Sequence, residues 1–127
     1  MDTLRSLLVG LALGILSGQA FADTALDQHP ERCPLAPKPL PRTLDEAVTR
    51  IVTHLTPESR KTLLETKRGE LINFHTGWGT GIRNDMCLWG GGNEALIRSA
   101  CGGQLCHPDD ASMRIMEAVW DRIHAKQ

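Results

Sequence analysis

The chain has 127 residues and a formal net charge of −1 at pH 7. This length suffices for one domain, and the charge balance argues against the clustered basic surface that nucleic-acid binding requires. No run of Lys or Arg indicates an anionic membrane surface. We therefore expect one small domain that does not bind nucleic acid. We also expect that the mature chain, without the signal peptide described next, does not bind a membrane.

The first 22 residues have the pattern of a signal peptide. Arg5 supplies a positive start, and the apolar stretch from Ser6 to Gly18 is shorter than the ~20 residues needed to span a bilayer. Ala20-Phe21-Ala22 fits the A-x-A rule for signal peptidase. We predict cleavage after Ala22, a mature chain that begins at Asp23, and a periplasmic or secreted location. The alternatives are an uncleaved anchor and a buried helix.

Residues 23–42 form a leader without helical periodicity, and this leader contains five of the seven prolines. Because Pro lacks a backbone donor and moves the preceding residue out of the helical region, we predict an extended or irregular segment. Cys33 would pin this leader along the body of the protein, a helical domain that we place at residues 43–127.

Four cysteines in the mature chain predict two disulfides. An even number of cysteines in a small exported domain is typical of a covalently stapled fold, since such a chain buries only a modest core. We favour Cys101–Cys106, which closes a short Gly-rich loop, together with Cys33–Cys87, which ties the leader to the body. A close alternative bonds Cys87 to Cys101 or Cys106 and leaves Cys33 with the other cysteine.

The helical domain begins with two capped helices. Thr43 and Glu46 form a capping box, and an apolar stripe at 3.6-residue spacing continues to about Leu55. Thr56 is the predicted N-cap of a second helix, with Pro57 at its first position. No segment alternates like a strand, so we predict an all-α fold of about five helices on one core.

Residues 69–85 carry conflicting signals. Apolar residues recur at helical spacing, although Gly77, Gly79 and Gly81 each cost about 1 kcal/mol relative to Ala in a helix. We predict one helix because the apolar period continues through the glycines, and the glycines would let another backbone or a ligand come close. The apolar set comprises Leu71, Ile72, Phe74, His75, Trp78 and Ile82.

Two further helices complete the prediction. Asn93 can cap a short helix that ends near Ala100. The last helix starts at His107-Pro108, and its first turn carries Asp109 and Asp110, which suit the positive end of the helix dipole. The aromatic residues expected in the core are Trp78, Trp89 and Trp120.

A set of motifs in this part of the chain resembles a bacterial domain family of unknown function. The motifs are a His before a Gly-containing helix, an Ile-Arg-Asn step, a Leu-Trp pair, a following Asn and a His-Pro-Asp-Asp start to a final helix. In this sequence they are His75, Ile82-Arg83-Asn84, Leu88-Trp89, Asn93 and His107 to Asp110. The resemblance covers roughly Pro41 to His124, and the four cysteines are not part of the pattern. It implies a compact helical domain and no known activity.

The same polar and aromatic residues form a candidate binding patch. Arg83 offers a planar donor fork for a carboxylate or phosphate, but the favoured interpretation is a bridge to a carboxylate at the start of the last helix. Asn84 and Asn93 are expected to cap helices or hold turns. Trp89 would anchor a partner if it were exposed beside Arg83. The full set is His75, Arg83, Asn84, Trp89, Asn93, His107, Asp109 and Asp110.

The features together favour a binding domain. Its partner would be a periplasmic protein, which the domain would bind or inhibit, or a small anionic ligand. The first alternative is a small enzyme that uses His75 and His107 as an acid/base pair with Asp109, although no nucleophile stands in a motif such as G-x-S-x-G. The second is a haem or metal carrier at Cys101, Cys106 and His107. Because an oxidising compartment favours disulfides, we expect no cofactor and no metal.

Overall fold

The computed structural model describes residues 30–126 of the chain. The predicted signal peptide and the first seven residues of the predicted leader lie outside the described residues. The described part is helical, contains no strand, and confirms the all-α fold class. None of its helices is long and apolar enough to cross a membrane.

Five α-helices and three short 3₁₀ segments make up the described part. The helices are α1 (Leu44–His54), α2 (Pro57–Glu65), α3 (Trp78–Asp85), α4 (Glu94–Ala100) and α5 (Pro108–Ala125), and the 3₁₀ segments are Pro30–Arg32, Arg68–Phe74 and Trp89–Gly91.

Side chains cap four of these helices at the predicted positions. The Thr43 hydroxyl accepts from the Glu46 amide at 3.1 Å, and the Thr56 hydroxyl accepts from the Ser59 amide at 3.1 Å. The Asn93 side chain caps α4, and the His107 ring caps α5. These local hydrogen bonds satisfy backbone donors that a helix leaves unpaired in its first turn, and they set where each helix begins.

Helix α5 is the centre of the core. It packs against α1, α2, α3, α4 and the 3₁₀ segment Arg68–Phe74. Burial of each large aliphatic side chain on its inner face contributes about 1.5–3 kcal/mol of hydrophobic free energy. The inner face comprises Ala111, Ser112, Ile115, Met116, Val119 and Ile123.

The prediction of one helix over residues 69–85 is wrong. The segment Arg68–Phe74 is a 3₁₀ helix, and α3 starts only at Trp78. Gly77 precedes α3 with φ −95° and ψ −87°, which lies outside the helical region and separates the two elements. Since a 3₁₀ helix has three residues per turn, the 3.6-residue stripe is not maintained, and Ile72 is 57% exposed.

The tryptophans do not share one environment. Trp78 and Trp120 are half-buried against the core, and the Trp120 indole donates to the Thr66 carbonyl at 2.8 Å. Trp89 is 44% exposed, so its predicted place in the core is wrong. The reason is that Trp89 lies in a short 3₁₀ segment on the surface and not on a core-facing helix.

The favoured disulfide pairing, Cys33–Cys87 and Cys101–Cys106, is confirmed. Cys87 is fully buried, and a Cβ atom on Gly92 would lie 2.2 Å from the Cys87 sulfur, so only glycine fits at position 92. The leader is further fixed by Lys38, whose ammonium donates to the carbonyls of Cys33 and Ala36 at 2.7 Å each. The leader therefore lies against the body of the protein in a defined conformation.

Arg68 and Asp121 form a bidentate ion pair that joins the 3₁₀ segment Arg68–Phe74 to α5. The Arg68 Nε and Nη2 atoms donate to the two carboxylate oxygens of Asp121 at 3.0 and 3.2 Å. The hydrogen bond from Arg68 lowers the pKa of Asp121, and the same bond raises the pKa of Arg68. Because both side chains are about half exposed, solvent screens the pair and its contribution to stability is small.

We predict that Asp121→Asn lowers the urea midpoint slightly at neutral pH and has no effect in strong acid. The folded-state pKa of Asp121 is lowered from an unfolded value of about 3.9, so the stabilisation is present above that pH and is lost as the pH falls through the folded pKa. Urea unfolding at neutral and acidic pH measures this. Arg68→Gln is the matched control, and a double variant less stable than either single variant would contradict the pairing.

Candidate functional site

Arg83 lies at the centre of a cluster of polar side chains between α3 and α5. Its side chain is only 6% exposed, so its charge needs acceptors inside the protein. Nη1 donates to the Ser112 hydroxyl at 2.8 Å, while Nη2 donates to the Thr80 hydroxyl at 2.9 Å and to the His75 carbonyl at 3.1 Å. These bonds hold the guanidinium plane in one orientation.

Asp109 supplies the negative charge of this cluster. Its Oδ1 atom lies 3.4 Å from Arg83 Nε and 3.9 Å from His75 Nε2, and its Oδ2 atom lies 3.4 Å from His107 Nδ1. The predicted bridge from Arg83 to the start of the last helix is therefore present. We call His75, Thr80, Arg83, His107, Asp109 and Ser112 the Arg83 cluster.

The two histidines differ in their contacts. His107 Nδ1 accepts from the Asp109 amide at 3.1 Å, which requires an unprotonated Nδ1 and places the ring proton on Nε2. The Nδ1 atom of His75 is buried and makes no hydrogen bond within residues 30–126. The Arg83 Nε atom likewise makes no hydrogen bond there, so its contact with Asp109 is ionic.

Trp89 covers the cluster on the solvent side. The guanidinium carbon of Arg83 lies 5.7 Å from the centre of the Trp89 ring, within the range of a cation–π interaction. The Trp89 ring also meets the His107 ring edge-on, with centroids 5.8 Å apart. The next residue, Gly90, has a φ of 61°, and its carbonyl accepts from the Arg32 guanidinium. Trp89 is thus exposed but held from several sides.

A groove runs between Trp89 and the leader, and we call it the Trp89 groove. Its volume is about 290 Å³. One wall is the leader, in which Leu35 is 97% exposed, and the other is Trp89 with Asn84. The lining residues are Arg32, Cys33, Pro34, Leu35, Ala36, Arg83, Asn84 and Trp89.

Besides Trp89, three residues of the predicted patch lie outside the Arg83 cluster. Asn93 is fully buried, and its side-chain amide donates to the Pro41 and Met86 carbonyls at 2.9 and 3.0 Å, so its role is structural. Asn84 is exposed within α3 and does not cap a helix, which corrects that prediction. Asp110 is exposed and lines a separate cleft beside the Cys101–Cys106 disulfide.

The sequence prediction missed the small residues that make room for Arg83 and bind it. Ser112 and Thr80 were not singled out, although Ser112 follows Asp109 at the three-residue spacing that places two side chains on one helix face. Gly79 was noted only as a site of close approach; an added Cβ there would lie 3.0 Å from Arg83 Nη1. The leader residues of the groove carried no signal except the nearby Cys33.

The structure also shows where the residues of the two alternative functions lie. The acid/base candidates His75, His107 and Asp109 do lie together, as the distances above show. The thiols that a haem or zinc carrier would need at Cys101 and Cys106 are joined in a disulfide. Among the described residues, no group of three or more His, Cys, Asp or Glu side chains is arranged to hold a metal ion.

The chain belongs to a family described as a domain of unknown function, DUF6794, which matches residues 40–123. The match covers α1 to α5 except for the last residues of α5, and it includes every residue of the Arg83 cluster. It leaves out the whole leader wall of the Trp89 groove, including Cys33. No curated protein and no solved structure matches the chain.

We predict that Gly79→Ala destabilises the domain while Gly81→Ala, in the same helix, stabilises it. The Cβ at position 79 would displace the Arg83 guanidinium from Ser112, a strain that costs about 1–3 kcal/mol. At position 81 nothing lies within 4 Å, so the better helix propensity of Ala should raise the free energy of unfolding by up to about 1 kcal/mol. Urea unfolding of both variants measures this, and equal stabilities would contradict the proposed packing of Arg83.

Proposed function

We propose that this chain is an exported bacterial domain that binds a protein partner in the Trp89 groove and thereby captures or inhibits that partner. The observation that carries the proposal is that Trp89, which is 44% exposed, and Leu35, which is 97% exposed, line the same groove. Neighbouring apolar side chains that are exposed to solvent are typical of interaction sites, and Trp is enriched among residues that dominate binding energy. The predicted signal peptide and the two disulfides support export.

The groove is held in place before any partner binds. Trp89 is fixed by Arg83 and His107, while the leader is fixed by the Cys33–Cys87 disulfide and by the Asn93 bond to the Pro41 carbonyl. A preformed site loses little conformational entropy on binding, so more of the contact energy remains as affinity. This rigidity supports a binding role for the two walls.

The chemistry of the groove indicates which partner segment would fit. Most of its lining residues are apolar, and its polar side chains are Arg32, Asn84 and the internally bonded Arg83. We infer a partner segment that inserts an apolar or aromatic side chain against Trp89 and places a carboxylate near Arg32. A small anion is a weaker candidate, because the terminal nitrogens of Arg83 already donate to internal acceptors.

Selection from a random-peptide display library tests this proposal. The immobilised oxidised domain should enrich peptides that combine an apolar side chain with Asp or Glu. Trp89→Ala should weaken their binding about tenfold or more, the loss typical of a binding hot spot. Ile72→Ala is the matched control, since Ile72 is similarly exposed and does not line the groove. Equal binding by wild type and Trp89→Ala, with both folded, would refute the proposal.

A small hydrolase is the second candidate, favoured by the approach of His75 and His107 to opposite oxygens of Asp109. The two hydroxyls of the Arg83 cluster are already bonded, Ser112 to the Asp109 carbonyl and Thr80 to the Thr76 carbonyl. The nucleophile would therefore be a water molecule that His75 deprotonates, because the Nδ1 atom of His107 already accepts from the Asp109 amide.

A panel of chromogenic esters and phosphoesters tests the hydrolase. His75→Gln and His107→Gln should each lower turnover by about 100-fold or more, which is the usual contribution of a general acid or base. His54→Gln, an exposed histidine on α1, should leave turnover unchanged. Turnover that is equal in all four proteins would come from a contaminant and would eliminate this candidate.

A further inference from the structure

The two disulfides lie in different surroundings. Cys33–Cys87 closes a separation of 54 residues, and its Cys87 sulfur is buried beneath Gly92. Cys101–Cys106 closes a separation of only 5 residues, and both of its cysteines are partly exposed. Cys33 is partly exposed as well, but a reductant that attacks it has to release the buried Cys87 as a thiolate, which apolar surroundings disfavour. A reductant that attacks Cys101–Cys106 releases no fully buried thiolate.

The Cys101–Cys106 loop lies at the edge of the core, where the two cysteines pack against buried residues. Cys101 ends α4, where its amide donates to the Ile97 carbonyl at 3.0 Å, and Cys106 directly precedes the cap of α5. The four residues between the cysteines are all exposed. Gly102 and Gly103 have φ values of 71° and 93°, so the loop depends on glycines for its closed conformation.

A cleft gives access to this disulfide from the solvent. Its volume is about 470 Å³, and the exposed Leu105 stands at its edge. Arg114 and Glu117 of α5 line its far side together with Met113. The cleft therefore combines an accessible sulfur pair with an apolar contact and charges of both signs, which is the kind of surface that a small dithiol protein can approach.

We propose that Cys101–Cys106 is a thiol–disulfide exchange site that a dithiol reductant opens selectively, while Cys33–Cys87 stays intact. The reductant's thiolate attacks the Cys101 sulfur and forms an intermolecular disulfide, and the Cys101–Cys106 bond breaks. Cys106 leaves as the thiolate because it stands at the positive end of α5, which favours the thiolate form. The second thiol of the reductant then releases Cys101, so the reductant becomes a disulfide and two electrons and two protons reside on the two cysteines.

The exchange would act on the Trp89 groove through His107. This residue follows Cys106 in the chain, caps α5 and contacts the Trp89 ring. Opening the disulfide frees the chain before His107 from the end of α4, so the His107 ring and the edge of Trp89 lose one of their supports. This second step rests on the proposed function, whereas the selective exchange does not.

Graded reduction of the folded oxidised protein tests the exchange site. After brief exposure to glutathione or dithiothreitol, free thiols are alkylated and mapped by peptide mass. Cys101 and Cys106 should be alkylated about tenfold or more faster than Cys33 and Cys87, because exposure and thiolate stability control the rate. The trapped glutathione adduct should lie on Cys101. Equal rates, or earlier reduction of Cys33–Cys87, would overturn the proposal.

The paired variant Cys101→Ser/Cys106→Ser tests the link to the groove. Its Trp89 indole resonance should shift relative to oxidised wild type, whereas the Trp120 resonance, from the far end of α5, should not. The groove peptides selected above should bind more weakly to this variant. An unchanged Trp89 resonance would overturn the link to the groove, but the exchange site would still stand if Cys101–Cys106 is reduced selectively in wild type. If the oxidised wild type binds no peptide at all, the proposed function is refuted instead.

Discussion

The buried charge of Arg83 is the constraint on which the rest of the site depends. A guanidinium removed from water is costly unless acceptors surround it, and here they come from separate segments of the chain. Ser112 and Asp109 belong to α5, Thr80 to α3, and the His75 carbonyl to the break before α3. Since all of them converge on one rigid planar group, the arrangement fixes α3 against the first turns of α5.

The same constraint determines what reaches the surface. Because the terminal nitrogens of Arg83 face inward, Arg83 does not present its charge to a ligand; it supports the Trp89 ring from below. Trp89 and His107 are what solvent meets. The pattern of Arg, His and Asp that looks in the sequence like a ligand clamp or a catalytic set is first a structural device, and membership of a family of unknown function does not add an activity to it.

Covalent bonds and packing divide their roles along the chain. The hydrophobic core around α5 joins all five helices, while Cys33–Cys87 holds the leader, which has few apolar residues of its own to bury. That disulfide needs the glycine at position 92, so a tight backbone approach and a covalent bond are coupled. Cys101–Cys106 joins only the end of α4 to the start of α5, and its short loop restrains less of the unfolded chain.

The sequence by itself determined the features that arise from neighbouring residues: the all-α class and the caps at Thr43, Thr56, Asn93 and His107. It favoured the observed cysteine pairing but left a close alternative open, because Cys33 and Cys87 are 54 residues apart. Local hydrogen bonds join residues that are close in the chain, so the sequence alone can indicate them. The sequence prediction was wrong about the break at Gly77 and about the burial of Trp89. Only the tertiary structure decided that Asp109 and not Asp110 meets Arg83, and that Leu35 and Trp89 line one groove, because both depend on how the helices and the leader pack together.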